Sequence, residues 1–197
     1  EVRTFCMNPN GEVVQENYSG IATVNGHSYA NYKTPNTNFA LLVSEKFTEP
    51  FKEPIQYGQH IARLANMLGG GILVQRFGDL LEGRRSTPER IASSVITPTL
   101  TCATPGDLSL VIPYRQMTSI IEMLQALDKI APGTASRYTL LYGIEVKFYS
   151  ARVKLTQQLE TEGVKNLFTI GDGAGVTRGL LQASASGVYV ARTICER

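Results

Sequence analysis

Apolar residues fall into short runs up to about residue 45 and into helical stripes beyond it. Phe5-Cys6-Met7, Val13-Val14, Ile21-Ala22-Thr23-Val24 and Phe39 to Val43 are the runs, with turn residues between them. Close strands joined by turns pair antiparallel by default. Asn10-Gly11 predicts a hairpin turn between the first two runs, and Asn25-Gly26 a second turn. From about Ile55 the period lengthens: Ile55, Ile61, Leu64, Ala65 and Leu68 share one helical face. Gly69-Gly70-Gly71 stops that helix, and Ile72 to Phe77 follows as a strand. Ser86-Thr87-Pro88-Glu89 has capping-box spacing and predicts a short helix over Glu89 to Ser93. The clearest helix runs from Pro113 to Ile130. Met117, Ile120, Ile121, Leu124 and Leu127 form its buried face, and Ala131-Pro132-Gly133 ends it. Leu140, Tyr142, Ile144, Val146 and Phe148 alternate with Leu141, Gly143, Glu145, Lys147 and Tyr149, which predicts a long central strand. Residues 151 to 165 make a polar return. The pattern describes an α+β fold, mainly antiparallel sheet with helices packed on it.

The C-terminal pattern is different. Leu167-Phe168-Thr169-Ile170 reads as a buried strand. It meets the tight turn Gly171-Asp172-Gly173-Ala174-Gly175, and a helix-like segment rich in Ala, Ser and Gly follows. Glycines at such a turn let a ligand approach the backbone closely. A helix start offers free N–H groups and partial positive charge, which suits phosphate. The ionised Asp172 carboxylate only accepts hydrogen bonds, which suits a polyol hydroxyl. Together these parts describe a cradle for a sugar-phosphate chain. The alternative reading makes Asp172 a cap of the final helix. Arg178 and Gln182 face either a cofactor or solvent. Arg178 in the first helical turn opposes the helix dipole, which favours an anion beside it. Ala183-Ser184-Ala185-Ser186-Gly187 reads as architectural, since small residues permit close packing.

This turn resembles the C-terminal flavin motif of two-part FAD-dependent oxidoreductases. Val2-Arg3-Thr4-Phe5-Cys6-Met7, Pro105-Gly106-Asp107-Leu108-Ser109 and Tyr142 to Ser150 extend the resemblance over nearly the whole chain. They are similar to a bacterial family usually called FAD-dependent dehydrogenases. The chain departs at Asn8-Pro9-Asn10-Gly11, where the family pattern reads Cys-Pro-Gly-Gly, so a second cysteine there has no carrier. The resemblance implies that Asp172 takes a ribityl hydroxyl of FAD, and that the backbone around Gly171, Gly173 and Ala174 approaches the flavin side. It implies a middle or substrate domain over residues 1–160. Residues 161–197 would then be a strand-turn-helix belonging to a Rossmann-like FAD domain. The ADP half of FAD ordinarily sits on a strand, a G-x-G-x-x-G turn and a helix. No such unit is present, and Gly69-Gly70-Gly71 lies in the reverse order, after a helix and before a strand. The chain also begins without Met in a strand-like run. The expectation is a fragment of a longer enzyme whose partner is its own N-terminal FAD-binding domain. FAD belongs to the full-length protein, and the fragment alone is expected to be inactive and to retain none.

Composition narrows the remaining classes. Nineteen basic against 17 acidic residues give a net charge of +2. That disfavours a nucleic-acid surface and, with it, an RNA-modifying flavoenzyme. Arg84-Arg85 with Arg90 reads as a solvated loop in preference to a phosphate patch. Cys6, Cys102 and Cys195 are far apart, which suits a reducing, cytoplasmic setting. Cys6 between Phe5 and Met7 reads as core, with a redox thiol near flavin as the alternative. Glu145 and Lys147 read as a cross-strand pair in preference to substrate-orienting groups. His27 and His60 lack metal-ligand spacing, so no metal is assigned. No apolar run is long enough to span a membrane. Tyr114, Tyr142 and Tyr149 are candidate acids or stacking groups, and no catalytic residue or particular small-molecule substrate is assigned. The second function class is a non-catalytic module, derived from a flavoprotein, that binds a small anion or a partner.

Overall fold

The computed structural model describes residues 1–147 and 152–196. It divides into two compact units, Glu1–Val146 and Lys147–Arg197. The fold is α+β. In the first unit the order is β1 (Val2–Asn8), β2 (Glu12–Tyr18), β3 (Ile21–His27), β4 (Asn38–Val43), α1 (Pro54–Gly69), β5 (Leu73–Arg76), α2 (Phe77–Leu81), α3 (Pro88–Ala92), β6 (Thr104–Pro105), α4 (Tyr114–Asp128) and β7 (Leu140–Gly143). β1 pairs with β4 and β2 with β3, both antiparallel, while β5 lies between parallel β6 and antiparallel β7.

The antiparallel N-terminal region follows the sequence pattern, but its turns do not. Asn10-Gly11 reverses the chain without closing a hairpin, because β1 takes β4 as its partner. The turn is fastened instead to the Thr34 loop: Thr34 N donates to Asn10 O at 3.0 Å, and Asn10 Nδ2 donates to Thr34 O at 3.0 Å. Asn25-Gly26 is not a turn and lies inside β3. A Cβ on Gly26 would sit 2.0 Å from Asn38 Oδ1 and 2.4 Å from Asn8 Nδ2, so glycine there serves close approach. The hairpin turn is Ser19-Gly20, both left-handed at φ 52° and 79°, as a two-residue loop between Tyr18 and Ile21 requires. Cys6 is exposed, not core. The pairing of β1 with β4 shifts register between Phe5 and Asn8, and Cys6 sits in that irregularity at φ 50°.

The helices bury narrower faces than their stripes predict. α1 buries Ala62 and Ala65 completely, while Ile55 and Leu68 are about half exposed at 49% and 47%. Small residues there let α1 lie close to β5. Asn66 then clasps β3, accepting from Ala22 N at 2.8 Å and donating to Ala22 O at 2.9 Å. α4 runs over Tyr114–Asp128 with Met117 and Leu124 buried, close to expectation. The short helix α3 forms as expected, but its cap is Thr87, which accepts from Arg90 N at 3.4 Å. Ser86 is drawn into the interior instead.

The expected long central strand is cut short. β7 covers Leu140–Gly143 at the edge of its sheet, and β5 is central. Glu145 and Lys147 therefore lie beyond the strand. Phe148, Tyr149 and Ser150 fall outside the described residues. The apolar core gathers Ala65, Leu73, Phe77, Leu80, Leu108, Val111, Met117, Leu124 and Ile144.

All four residues of β5 are buried, including Gln75 and Arg76. Buried polar groups need partners, and Gln75 and Asp79 find them. Gln75 Oε1 accepts from Leu108 N at 2.8 Å, and Gln75 Nε2 donates to Arg84 O at 2.9 Å. Asp79, 1% exposed, accepts from Ser86 Oγ at 2.8 Å and from Arg84 Nε at 2.9 Å. Burial pushes the Asp79 carboxyl up, but Ser86, Arg84 and Arg76 together outweigh burial and hold it below the usual carboxylate value. The Arg84 loop is thus anchored through its side chain, unlike the solvated loop the sequence suggests.

Two outcomes are expected. Leu124→Ala should destabilise the first unit by about 3 kcal/mol, because a core methylene cavity opens beneath α4; chemical denaturation showing less than about 1 kcal/mol would place Leu124 outside the load of the core. Asp79→Asn should cost about 3 kcal/mol at neutral pH, since it leaves buried arginine unpaired. Because the folded carboxyl titrates below its unfolded value of about 3.9, Asp79 contributes fully above that pH and progressively less as pH falls through its folded value. The stability gap between wild type and variant should therefore narrow below about pH 4, and a gap independent of pH would contradict the ion-pair assignment.

Candidate flavin-contacting turn

Among the described residues the second unit contains one regular helix, α5 (Leu180–Cys195), and a single 3-10 turn over Asp172–Ala174. The expected strand Leu167–Ile170 is not formed. Phe168 forms an isolated bridge to Glu160, and Leu167 and Ile170 are 46% and 43% exposed. A short apolar segment can be a strand only where a neighbouring strand satisfies its backbone, and periodicity alone cannot supply that neighbour.

The glycine turn itself is well defined. Gly171 and Gly175 both have φ 71°, a left-handed value that glycine adopts without strain. Ala174 N donates to Gly171 O at 3.3 Å and Gly175 N to Asp172 O at 3.0 Å. Ala174 is buried, and its carbonyl accepts from Val153 N at 3.1 Å. Gly171 N donates to Ser186 Oγ at 3.0 Å, and Ser186 Oγ donates to Ala183 O at 2.6 Å. One buried serine of α5 thus fixes where the turn begins. A Cβ on Gly171 would rest 3.9 Å from Ala183, so the small residues of α5 do allow close packing.

Asp172 and Gly173 face outward. Asp172 is exposed, and its Oδ1 accepts from Thr177 Oγ1 at 2.6 Å. It does not cap α5, whose N-cap is Gly179 with no side-chain hydrogen bond. The helix begins at Leu180, later than the sequence suggests. Arg178 therefore precedes the helix, and the dipole conflict read into it does not arise. Arg178 and Gln182 are both exposed. Around Gly173 nothing lies within 4 Å of a built Cβ, so its backbone is open to a ligand. The seven residues singled out in the sequence form two neighbouring features, the turn 171–175 and the uncapped start of α5 with Arg178 and Gln182. Sequence reasoning missed Thr177 and gave Ser186 no hydrogen-bonding role. Only a contact map distinguishes Ser186 from Ser184 beside it.

Residues 1–148 match the family described as FAD-dependent protein, C-terminal domain-like. The chain belongs to this family. The match coincides closely with the first compact unit, Glu1–Val146. The chain is also 32% identical, over 208 residues, to an uncharacterized protein of Clostridium beijerinckii; the alignment takes in all of this chain and 38% of that relative. The chain thus spans well under half the length of the relative it matches.

In this FAD-dependent family the parts present suit a flavin cofactor's sugar-phosphate chain. The outward Asp172 carboxylate offers acceptors for hydroxyls. The open backbone at Gly173 permits close approach, and the uncapped N–H groups of α5 suit a phosphate oxygen. Other candidates are placed differently. Tyr142 is largely buried, which pushes its phenol up to about 12, so it remains protonated at neutral pH. Tyr114 is 83% exposed at the start of α4, and His27 stacks on Tyr29 with ring centroids 4.3 Å apart. Among the described residues no helix is long and apolar enough to cross a membrane.

Proposed function

We propose that the chain is part of a cytoplasmic FAD-dependent oxidoreductase of the dehydrogenase type. The first unit is its substrate domain. The second is the C-terminal, flavin-contacting segment of its FAD-binding domain. The observation that carries this reading is the family match over residues 1–148, followed in the same chain by the Gly171–Gly175 turn with its outward carboxylate. FAD would supply the redox chemistry, accepting a hydride or an electron pair from a small-molecule substrate. The chain's own share is orientation: Asp172 would hold a ribityl hydroxyl, Gly173 would leave the backbone accessible, and Arg178 and Gln182 would border the site.

The partner is the remainder of the FAD-binding domain in the same polypeptide. Two features of the second unit support it. Leu180 and Leu181, at the start of α5, are 92% and 84% exposed, and Val188 and Ile194 are about half exposed. Apolar side chains exposed together on one helix mark a surface that another element covers. The apolar segment beside it, Leu167–Ile170, meets residues 159–161 through a single antiparallel bridge, with Thr161 N donating to Leu167 O at 2.7 Å and Thr169 N to Leu159 O at 3.2 Å. A sheet from the remainder of that domain would extend this short pairing. The alternative, a non-catalytic anion- or partner-binding module, would equally need an occupant for this apolar surface.

The test is a flavin titration of the longer apoprotein. Asp172→Ala should weaken FAD binding by about 10- to 100-fold, from loss of charge-assisted hydrogen bonds worth roughly 1.5–3 kcal/mol. Asp172→Asn should weaken it less, because its amide oxygen still accepts. The fold should survive both changes, since the turn is held by Gly171, Gly175 and Ser186. Unchanged affinity in both variants would remove Asp172 from the flavin site.

A further inference from the structure

The arginines that surround Asp79 exceed what the nearby carboxylates need. Arg76, Arg84, Arg85, Arg90 and Arg137 stand against Asp79, Glu82 and Glu89. Glu82 is committed to Arg84 at 2.6 Å and to Arg137 at 2.7 Å. Asp79 is committed to Ser86 and Arg84. Arg76 and Arg90 approach the same carboxylate from its two oxygens but stop short of hydrogen bonding, at 3.9 and 4.0 Å. Arg85 carries an exposed side chain in the same loop.

Arg76 is the decisive residue. Its side chain is only 9% exposed. One of its five guanidinium N–H donors reaches Arg90 O at 3.0 Å through Nη1, and Nε has no hydrogen-bond partner. The Tyr138 ring covers one side of the guanidinium, 5.2 Å from centroid to Cζ. A buried guanidinium with unmet donors is costly unless an acceptor completes it. Asp79 Oδ2 lies 3.9 Å from Nε, beyond hydrogen-bonding distance. Arg90 stands next to it with Nη1 spent on Arg85 O at 2.8 Å and Nε 4.0 Å from Asp79 Oδ1, and Arg85 and Arg90 together hold the Glu89 carboxyl down. The cluster lies wholly within the first unit and is independent of the flavin turn.

We propose that Arg76, Arg85 and Arg90 form an anion-binding site for a phosphate group. The charge surplus of the cluster matches a dianion, and arginine forks suit the oxygens of a tetrahedral phosphate. Asp79 sets the site by holding Arg84 and drawing Arg76 and Arg90 to its two oxygens. The ligand is a phosphate-bearing small molecule, for which inorganic phosphate is the minimal probe.

The experiment compares thermal unfolding of the 197-residue chain in millimolar phosphate, malonate and chloride at equal ionic strength. Phosphate should raise the midpoint of the first unit by about 3 °C or more over chloride. Arg85→Gln should keep the chloride midpoint of wild type and lose at least half of that rise. Arg90→Gln should abolish the rise; if that variant does not fold, Arg85→Gln decides. The proposal fails if phosphate gives no excess over chloride, or if the rise is the same in wild type and Arg85→Gln. A larger rise with malonate than with phosphate would overturn the choice of phosphate as ligand.

Discussion

The need to satisfy buried polar groups on β5 governs the first unit more than any single apolar contact. A four-residue strand with Gln75 and Arg76 fully or nearly buried cannot exist unless other segments bring donors and acceptors to it. That requirement sets two loop paths at once. Gln75 draws in the Arg84 carbonyl on one side and the amide of Leu108 on the other. Ser86 Oγ accepts from Arg76 N at 2.8 Å and donates to Asp79, so the strand, the helix after it and the returning loop are locked together. The apolar core then packs around this arrangement. Gly106 must pass so near Leu73 that a Cβ would come within 2.7 Å of its side chain. The segment Pro105 to Ser109, conspicuous in the sequence, owes its conformation to that passage and to Asp107, which accepts from Ser109 N at 2.9 Å.

The sequence was most legible where periodicity and local chemistry decide structure. α4 and α3 required only an apolar stripe or a proline and a cap, and both formed near their expected positions. It was least legible where partners decide. Asn10-Gly11 and Asn25-Gly26 carry the same dipeptide, yet one is a turn and the other a strand interior pressed against Asn8 and Asn38. Nothing local separates them. β7 ends after Gly143 although the alternation continues, because period two describes side-chain faces and not the hydrogen bonds that make a strand. Ser86 and Thr87 both suit a cap, and the choice fell to Thr87 because Asp79 claims Ser86.

The glycine turn shows the same division. Its backbone conformation was readable: Gly171 and Gly175 occupy left-handed values that the sequence anticipates by having no side chain there. Its support was not. Ser186, fifteen residues on, holds the Gly171 amide, and Thr177 rather than the helix holds Asp172. Both corrections strengthen the separation of roles within the site. The turn's geometry rests on glycines and Ser186, so the Asp172 carboxylate is exposed and is not needed to hold the backbone.

The two units differ in how far their own residues satisfy them, and this difference bears on the assignment. The first unit has a closed apolar core and pairs every strand it contains. The second sets Ala183 and Ser186 of α5 against the turn at Gly171 while Leu180, Leu181 and Val188 are exposed. Small residues on one face and large apolar ones on the other suit a helix packed between two layers. Only the thinner layer, the turn and its approach, is supplied by the second unit. A free-standing binding module would be under pressure to make the outer face polar. An element that completes a larger flavin-binding sheet would keep it apolar, and it would also keep an apolar segment such as Leu167–Ile170 ready for a strand neighbour. The helix surface thus argues for a further element that covers it, on grounds that do not involve the carboxylate at all.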